Sequence, residues 1–209
     1  MADRMAFFGG TFDPVHHGHL VVSRAVAELG GFAQVHLVPV FQPPHKIGPL
    51  ATPEQRIAML TLAVAGEPRL AVCPIELDRP GPSYTYETLE ALRSRHGPGT
   101  SLHWVIGADM LEELHLWRRI DRVLELARIV VAVRPPWDQR LDGILDGLVP
   151  KLGVDAVGRL RDGVVRTPLL DISSRDIRER ISRGTAIRYL VPEAVEGYIR
   201  ANGLYVTSV

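Results

Sequence analysis

Cysteine is nearly absent from this sequence, whose 209 residues include only Cys73. A single thiol excludes a disulfide within the chain and is typical of a reducing compartment. Because Cys73 lies in an apolar stretch, we expect it to be buried in the core. The small disulfide-bonded secreted domains are therefore excluded.

Net charge is also lacking, since 24 lysines and arginines balance 24 aspartates and glutamates. This balance argues against a surface for bulk binding of nucleic acid or membrane, although it leaves a local basic pocket open. No apolar run is long enough to span a bilayer, and the N-terminal segment lacks the features of a signal peptide. We expect a cytoplasmic protein that binds neither nucleic acid nor membrane.

Two glycine-rich phosphate-binding motifs are missing as well. The chain has no Gly-x-Gly-x-x-Gly fingerprint, which disfavours a hydride-transferring dehydrogenase. It has no Walker A sequence either, so a P-loop is not available to cradle a triphosphate.

The sequence does contain a regular alternation of apolar strands and helical patterns. Hydrophobic residues make up 46%, and the continuously apolar strands indicate a sheet buried on both faces. The βαβα order predicts an α/β fold with a doubly wound, mostly parallel sheet in three αβα layers. We expect one domain over residues 1–209, with the C-terminal helical part from about 171 packed on it. The predicted strands are Met5–Phe8, Val35–Val38, Leu70–Cys73, Leu102–Ile106, Ile129–Val133 and Val164–Leu169, and the predicted helices begin near Gly18, Thr52, Thr85, Ala108, Ile120, Ser174 and Pro192.

Local signals differ in strength along the chain. Thr52-Pro-Glu-Gln55 combines a hydroxyl N-cap, a proline at the first helical position and a capping-box glutamine. The three prolines of Phe41–Pro49 predict a loop. The segment from Asp138 to Asp162 stays unassigned, apart from a helical pattern over Leu141–Leu152.

The most informative segment is the turn Gly9-Gly-Thr-Phe-Asp-Pro-Val-His-His-Gly-His19. It follows a predicted strand and precedes a predicted helix, so its backbone N–H groups lie at the positive end of a helix dipole, where anions bind. His16 and His19 add donors that can follow charge on a phosphate. We interpret the turn as the place where a nucleoside triphosphate is attacked.

Polar groups also follow the second, fourth, fifth and sixth predicted strands. In an open parallel sheet, ligands bind beyond the carboxyl ends of the strands, so these groups should meet at one edge. The groups are Pro43-Pro-His-Lys46, Gly107-Ala-Asp109, Arg134 and Asp171-Ile-Ser-Ser-Arg-Asp-Ile-Arg178.

Two other interpretations of the histidines stay open. His16, His17 and His19 could bind a metal, but no second cluster supplies cysteine or glutamate at a zinc-type spacing. They could also serve only to cap the turn. This capping role is less favoured, because three histidines occur within four consecutive residues after a glycine turn.

Ile172–Arg178 forms a second candidate anion site. Ser173 and Ser174 occupy an N-cap position, and Arg178 follows Ser174 by one helical turn, so both can face one ligand. Alone, the segment would be an ordinary cap before a solvated helix. Likewise, Lys46 and Arg134 alone would be surface charges, and Trp117 a core residue.

These segments carry a resemblance to a known family. Gly9–His19 resembles the GGTFDPxHxGH signature of the nucleotidyltransferase superfamily, and Ile172–Arg178 resembles its second signature, Ile-Ser-Ser/Thr-Thr-x-Ile-Arg. Further segments resemble the bacterial nicotinate-nucleotide adenylyltransferases. They are Pro43–Lys46, Gly81–Thr85, Trp104–Leu111, Leu114–Trp117, Val133–Pro135 and Tyr189–Ile199.

The resemblance implies a Rossmann-like nucleotidyltransferase fold and a step in NAD synthesis. Nicotinate mononucleotide and ATP would give nicotinate adenine dinucleotide (deamido-NAD) and pyrophosphate. The implied catalytic residues are His16, His19, Lys46 and Arg178. ATP would contact Gly9, Gly10, Thr11, Phe12, Gly18, His19, Gly107, Asp109, Ile172, Ser173, Ser174 and Arg178. The mononucleotide would contact Thr11, Asp13, Lys46, Tyr84, Thr85, Trp117 and Arg134.

No serine, cysteine or lysine is set beside a base in a way that demands a covalent intermediate, so we expect direct attack on the α-phosphorus of ATP. The attacking phosphate is already an anion, so little general-base catalysis is needed. We expect Mg²⁺ as the cofactor, carried mainly by ATP phosphates and water without a protein cage. The alternatives are an adenylyltransferase for nicotinamide mononucleotide or another phosphate acceptor, and a nucleotide sensor without activity. A homo-oligomer stays open.

Two departures limit the resemblance. Arg175 stands where the second signature commonly has threonine, so a phosphate contact has moved or the guanidinium points to solvent. The match is weak from Pro136 to Val165.

Overall fold

The structure, a computed structural model, describes residues 3–43, 51–77, 79 and 81–206. Its centre is a six-stranded sheet in the order β3-β2-β1-β4-β5-β6, in which every neighbouring pair is parallel. The strands are β1 Arg4–Gly10, β2 Val35–Pro39, β3 Leu70–Val72, β4 Ser101–Gly107, β5 Arg128–Val133 and β6 Val164–Arg166. The doubly wound parallel sheet predicted from the sequence is confirmed.

Eight α-helices connect and flank these strands within the described residues. They are α1 His17–Leu29, α2 Pro53–Val64, α3 Thr85–His96, α4 Ile120–Leu126, α5 Trp137–Leu152, α6 Val154–Asp162, α7 Ser174–Ser182 and α8 Glu193–Ala201. Among them, none has the length and apolar character needed to cross a bilayer.

Apolar side chains cover the sheet on both faces. Phe7 of β1 packs in a cluster with side chains from α3, α4, α5 and α6. Its neighbour Phe8 points the other way, toward a cluster that includes Ile177 of α7 and Val195 of α8. Because successive strand residues face opposite sides, β1 contributes to both cores and the layers are helix, sheet, helix.

The C-terminal helices share a core with the rest of the chain. Ile177 and Val195 are fully buried in the same cluster as Phe12 and Leu37, which belong to the first half of the sequence. This packing supports a single domain over residues 1–209, which stays a prediction.

Three sequence expectations need correction. The helix expected near Ala108 is a 3-10 turn, Ala108–Met110, after which Leu111 and Leu114 are both fully buried three residues apart. The last strand ends at Arg166 and not at Leu169, because Pro168 has no N–H to continue the ladder. The segment from Asp138 to Asp162, unassigned apart from the helical pattern over Leu141–Leu152, forms α5 and α6, and α5 contains the whole of that pattern.

Candidate active site

A cavity of about 1200 Å³ opens at the carboxyl ends of β1 and β4, where the strand order reverses. Such switch points are where open α/β sheets bind ligands. Every predicted site residue that the structure describes lines this cavity. They are Gly9, Gly10, Thr11, Phe12, Asp13, His16, Gly18, His19, Tyr84, Thr85, Gly107, Asp109, Trp117, Arg134, Ile172, Ser173, Ser174 and Arg178. Lys46, in the predicted proline-rich loop, lies outside the described residues.

The turn between β1 and α1 holds the two motif histidines as a stacked pair. His16 is the extended residue before α1, and its ring lies 3.7 Å from the ring of His19, centre to centre. The His16 backbone N–H donates to Nδ1 of His19 at 3.3 Å. Since Nδ1 accepts this bond, a neutral His19 carries its proton on Nε2, which is then its only N–H donor.

Both histidines are neutral near pH 7 in the protein without ligand. Burial lowers the pKa of His16 to about 4, and the charges of Arg134 and His17 act in the same direction. Burial also holds the pKa of His19 well below its usual value, with His16 and Arg134 contributing. Each ring therefore offers a single directed donor, and the binding of a polyphosphate would favour further protonation.

Gly9 is required by close packing along this edge, because a Cβ there would lie 2.5 Å from the indole of Trp104. At Gly107 a Cβ would meet only the carboxylate of Asp109, an exposed side chain that can turn away. The strand ends thus bring backbone directly to the cavity wall, as a bound nucleotide requires. Trp104 was not predicted as a site residue, because a tryptophan within an apolar strand is usually core.

The start of α7 is tied to the histidine turn by hydrogen bonds. The Ser173 hydroxyl accepts from the backbone N–H of Asp176 at 3.1 Å and caps the helix. The Ser174 hydroxyl donates to the carbonyl of Pro14 at 2.8 Å, and Arg178 Nη1 donates to the carbonyl of Asp13 at 2.6 Å. The two predicted anion sites are therefore parts of one site.

Asp13 holds this turn from the inside. Its buried carboxylate accepts from the N–H of Ala51 at 3.1 Å and from the hydroxyl of Tyr205 at 2.7 Å. The Arg178 guanidinium lies 3.9 Å from its other oxygen. These contacts give Asp13 a positioning role, and its predicted contact with the mononucleotide stays a prediction.

Arg56 also supports the turn after β1, and the sequence did not predict this role. Its side chain is fully buried and donates to the carbonyls of Thr11 at 2.9 Å and Phe41 at 3.3 Å. Burial lowers the pKa of Arg56, and the nearby Asp13 opposes this shift. An arginine in an amphipathic helix normally faces solvent, so no local pattern indicated this role.

The other end of the cavity is aromatic. Tyr84 precedes α3 without a side-chain cap, Thr85 is the first residue of the helix, and Trp117 lines the same cavity. The guanidinium of Arg118 stacks 4.6 Å from the centre of the Tyr84 ring. Flat walls next to an uncapped helix start suit a planar ring that carries negative charge.

A buried carboxylate supports this aromatic end. Glu76 accepts from the Thr88 hydroxyl at 2.7 Å, and burial raises the pKa of its carboxyl group. Ser83 accepts from the N–H of Phe41 at 3.2 Å. These bonds join the chain after β2 and β3 to the start of α3. Neither residue was predicted as part of the site.

Arg134 lies at the end of β5, between the histidine pair and α7. Its Nη1 donates to the carbonyl of Leu170 at 3.0 Å, which holds the segment before Ile172 against the sheet. Arg175 also lines the cavity and is exposed. Over the described residues, no group of three or more histidine, cysteine, aspartate or glutamate side chains could hold a metal ion.

Comparisons with known proteins agree with this geometry. The cytidylyltransferase-like family model matches residues 7–180. A probable nicotinate-nucleotide adenylyltransferase of Thermomicrobium roseum is 42% identical over 205 residues, which cover 98% of this chain and 92% of that protein. A relative with the same description from Geobacillus thermodenitrificans is 41% identical, with coverages of 97% and 86%.

A solved structure shows the same fold at low sequence identity. The nicotinic acid mononucleotide adenylyltransferase of Plasmodium falciparum, complexed with NaAD, aligns with a TM-score of 0.74 at 15% identity and covers 97% of each chain. Since the family model spans most of the sequence and relatives at 42% identity span nearly all of it, the chain belongs to the cytidylyltransferase-like family, among the nicotinate-nucleotide adenylyltransferases.

Proposed function

We propose that this protein transfers the adenylyl group of ATP to nicotinate mononucleotide, which gives nicotinate adenine dinucleotide and pyrophosphate in NAD biosynthesis. One observation carries the proposal: the two signature segments and the aromatic segments, far apart in sequence, line a single cavity. One end of that cavity offers N–H and O–H donors, and the other offers flat aromatic walls.

The reaction is a direct displacement at the α-phosphorus of ATP. An oxygen of the mononucleotide phosphate forms the new bond to phosphorus, and the bond to the bridging oxygen of pyrophosphate breaks. The attacking group is already an anion, so the site needs no strong base. Its contribution is to position the two phosphates and to stabilise their charge.

The phosphate end has a distinct donor for each part of the triphosphate. Nε2–H of His19 is fixed toward one direction by the bond at its Nδ1 and would stabilise charge at the α-phosphate. His16, the start of α7 and Arg178 would bind the phosphates that leave as pyrophosphate. Lys46 is proposed to join them when substrate is bound.

Mg²⁺ is proposed to enter with ATP. The phosphate end presents imidazole, guanidinium and helix N–H groups, which suit phosphate oxygens better than a cation. The metal would therefore take its ligands mainly from phosphates and water, and it would neutralise charge on the triphosphate.

Selection of the acid over the amide is proposed to begin at α3. The Thr85 hydroxyl and the uncapped N–H groups of the first turn can all donate to a ring carboxylate. An amide would turn its NH₂ toward some of these donors and leave them unpaired.

The test is pyrophosphate release from Mg-ATP with nicotinate mononucleotide and nicotinamide mononucleotide side by side. We expect a strong preference for the acid. Equal use of both would keep adenylyl transfer and contradict the selectivity argument. Release with neither would contradict the proposed function and favour a nucleotide sensor.

The same assay tests the role of His19. His19→Ala should lower turnover by about 10²–10³-fold, because one preorganised donor is lost. His17→Ala is the matched control, since His17 is adjacent in sequence and its side chain does not line the cavity. Near-normal turnover of the His19 variant would contradict the assignment.

A further inference from the structure

Two adjacent arginines follow Trp117, and the structure gives them different surroundings. Arg119 has a left-handed backbone (φ 51°), so the chain turns between the two side chains. Arg118 stacks on Tyr84 and lines the cavity. Arg119 stacks on Tyr86 at 5.5 Å and is not part of the cavity wall. Only one of the two cations therefore faces the substrate space.

The carboxylate of Glu87, whose charge acts on Arg118, forms its ion pair with another arginine. Glu87 lies 3.6 Å from the guanidinium of Arg79 and also accepts from the Tyr86 hydroxyl at 2.7 Å. Across the described chain, Arg118 forms no ion pair within 4.0 Å. The aromatic end of the cavity thus presents an exposed cation that pairs with no carboxylate of the described chain within 4.0 Å.

The contact with Tyr84 leaves N–H groups of the Arg118 guanidinium available for a ligand. The guanidinium carbon of Arg118 lies over the Tyr84 ring, and the guanidinium is also hydrogen-bonded to the Tyr84 side chain, so its remaining N–H groups are the ones that can donate to a ligand. A planar carboxylate pairs with two such N–H groups through parallel hydrogen bonds. Tyr84, Trp117 and Arg118 line the same cavity, so a ring bound at this end could present its substituent to the guanidinium.

We propose that Arg118 determines the specificity for an acidic pyridine ring by donating to the ring carboxylate of the mononucleotide. The inference rests on the proposed function and adds to it a side chain that the sequence motifs did not indicate. The carboxylate accepts two hydrogen bonds and balances the charge. An amide brings one oxygen and an NH₂ group that faces the guanidinium as a second donor, so it gains little.

The experiment compares Arg118→Gln with Arg119→Gln as the matched control. For each variant and for the wild type, kcat and KM are measured with nicotinate mononucleotide and with nicotinamide mononucleotide at saturating Mg-ATP. In Arg118→Gln, kcat/KM for the acid should fall about tenfold, mainly through KM, because a partly exposed charge-assisted hydrogen bond is lost. For the amide, kcat/KM of Arg118→Gln should stay within about twofold of the wild-type value, so the preference for the acid over the amide becomes smaller. Arg119→Gln should keep the wild-type preference.

A second readout separates charge from geometry. Arg118→Lys should recover part of the preference, and that recovered part should weaken with added salt, because lysine keeps the charge but loses the planar pair of donors. The equilibrium affinity for free nicotinate mononucleotide, measured by calorimetry, should follow the same order of variants.

Each contrary outcome has a defined meaning. An unchanged preference in Arg118→Gln overturns the inference, as does an equal loss for both mononucleotides, which would place Arg118 at the phosphate. An equal effect of Arg119→Gln would show a nonspecific effect of surface charge and overturn it too. Wild-type protein that releases pyrophosphate with neither mononucleotide overturns the proposed function itself.

Discussion

The histidine pair shows at the scale of single residues how the site prepares for an anion. Burial and the Arg134 charge keep His16 and His19 neutral, although both lie where a triphosphate would bind. A neutral imidazole costs less to bury than a charged one and still donates one hydrogen bond. The positive charge of the phosphate end is left to arginines that line the same cavity, namely Arg134, Arg175 and Arg178.

The depressed pKa of His16 predicts a dependence of stability on pH. The native pKa is about 4, whereas the unfolded chain titrates near 6.5. Between these values the unfolded state binds a proton that the native state does not, so the free energy of unfolding falls as pH falls. The full stability is present above about pH 6.5, and the loss through His16 reaches about 2 kcal/mol by pH 4.5.

Urea unfolding at pH 7 and pH 4.5 checks this sign and size. His16→Asn removes the titrating group, so its loss of stability between the two pH values should be smaller than that of the wild type by about 2 kcal/mol. His17→Asn serves as control and should keep most of the loss, because burial, and only to a lesser extent the His17 charge, lowers the pKa of His16. If the free energy of unfolding depended on pH in the same way in the wild type and in His16→Asn, the pKa of His16 in the native protein would not be lowered.

At the scale of elements, the segment after α8 supports the turn after β1. Tyr205 donates to Asp13, a residue 192 positions earlier, and burial followed by the Asp13 charge raises the pKa of its hydroxyl. Asp13 in turn lies next to Arg178 of α7. The C-terminal segment thus fixes the position of both signature motifs without lining the cavity.

Removal of the Tyr205 hydroxyl should therefore affect both stability and catalysis. Tyr205→Phe should lower the free energy of unfolding by about 1–2 kcal/mol, because a hydrogen bond to a buried carboxylate is lost. It should also lower kcat/KM for ATP by about tenfold, since misplacement of phosphate ligands is costly. Tyr198→Phe is the matched control, because the Tyr198 hydroxyl forms no hydrogen bond within the described chain. Wild-type kinetics in Tyr205→Phe would restrict the residue to a purely structural role.

The sequence predicted the elements that carry strong local patterns. Continuous apolar runs located all six described strands, and the Thr52 capping box marked the start of α2, where both of its reciprocal bonds are present. Of the helices α5 and α6, the sequence indicated only the Leu141–Leu152 part of α5, because Pro150 and several glycines interrupt the pattern. Their apolar stripe, Leu141, Leu145 and Leu148, becomes clear only when it is buried against the sheet.

The site was predictable where a motif places residues close together in sequence. Both signature segments and the aromatic residues line the cavity as expected. Arg56, Glu76, Trp104 and Tyr205 were not predicted, because their roles depend on contacts between residues distant in sequence. A buried arginine that donates to Thr11 and Phe41 has no signal in its own neighbourhood.

At the scale of the whole molecule, the two faces of the sheet are covered by different parts of the chain. Trp104 lies within the cluster that also includes α3 to α6, and Trp117 and Trp137 pack against it. The opposite cluster is built from α2, α7 and α8 together with Phe12 and Leu37. The cavity lies at the edge that both clusters support, so its geometry depends on both.

A single cooperative unfolding transition is therefore expected. Ile199 of α8 is 3% exposed and belongs to the cluster without tryptophan. Ile199→Ala should lower stability by about 3 kcal/mol through lost burial and a residual cavity. If residues 1–209 form one domain, tryptophan fluorescence should report the same shift as circular dichroism, although all three tryptophans lie across the sheet. Val154→Ala, at a position 71% exposed, is the control and should leave both midpoints unchanged.

If circular dichroism alone responded to Ile199→Ala, the C-terminal helices would unfold as a separate unit. The single-domain prediction would then be wrong, and the phosphate end of the cavity could open without loss of its aromatic end.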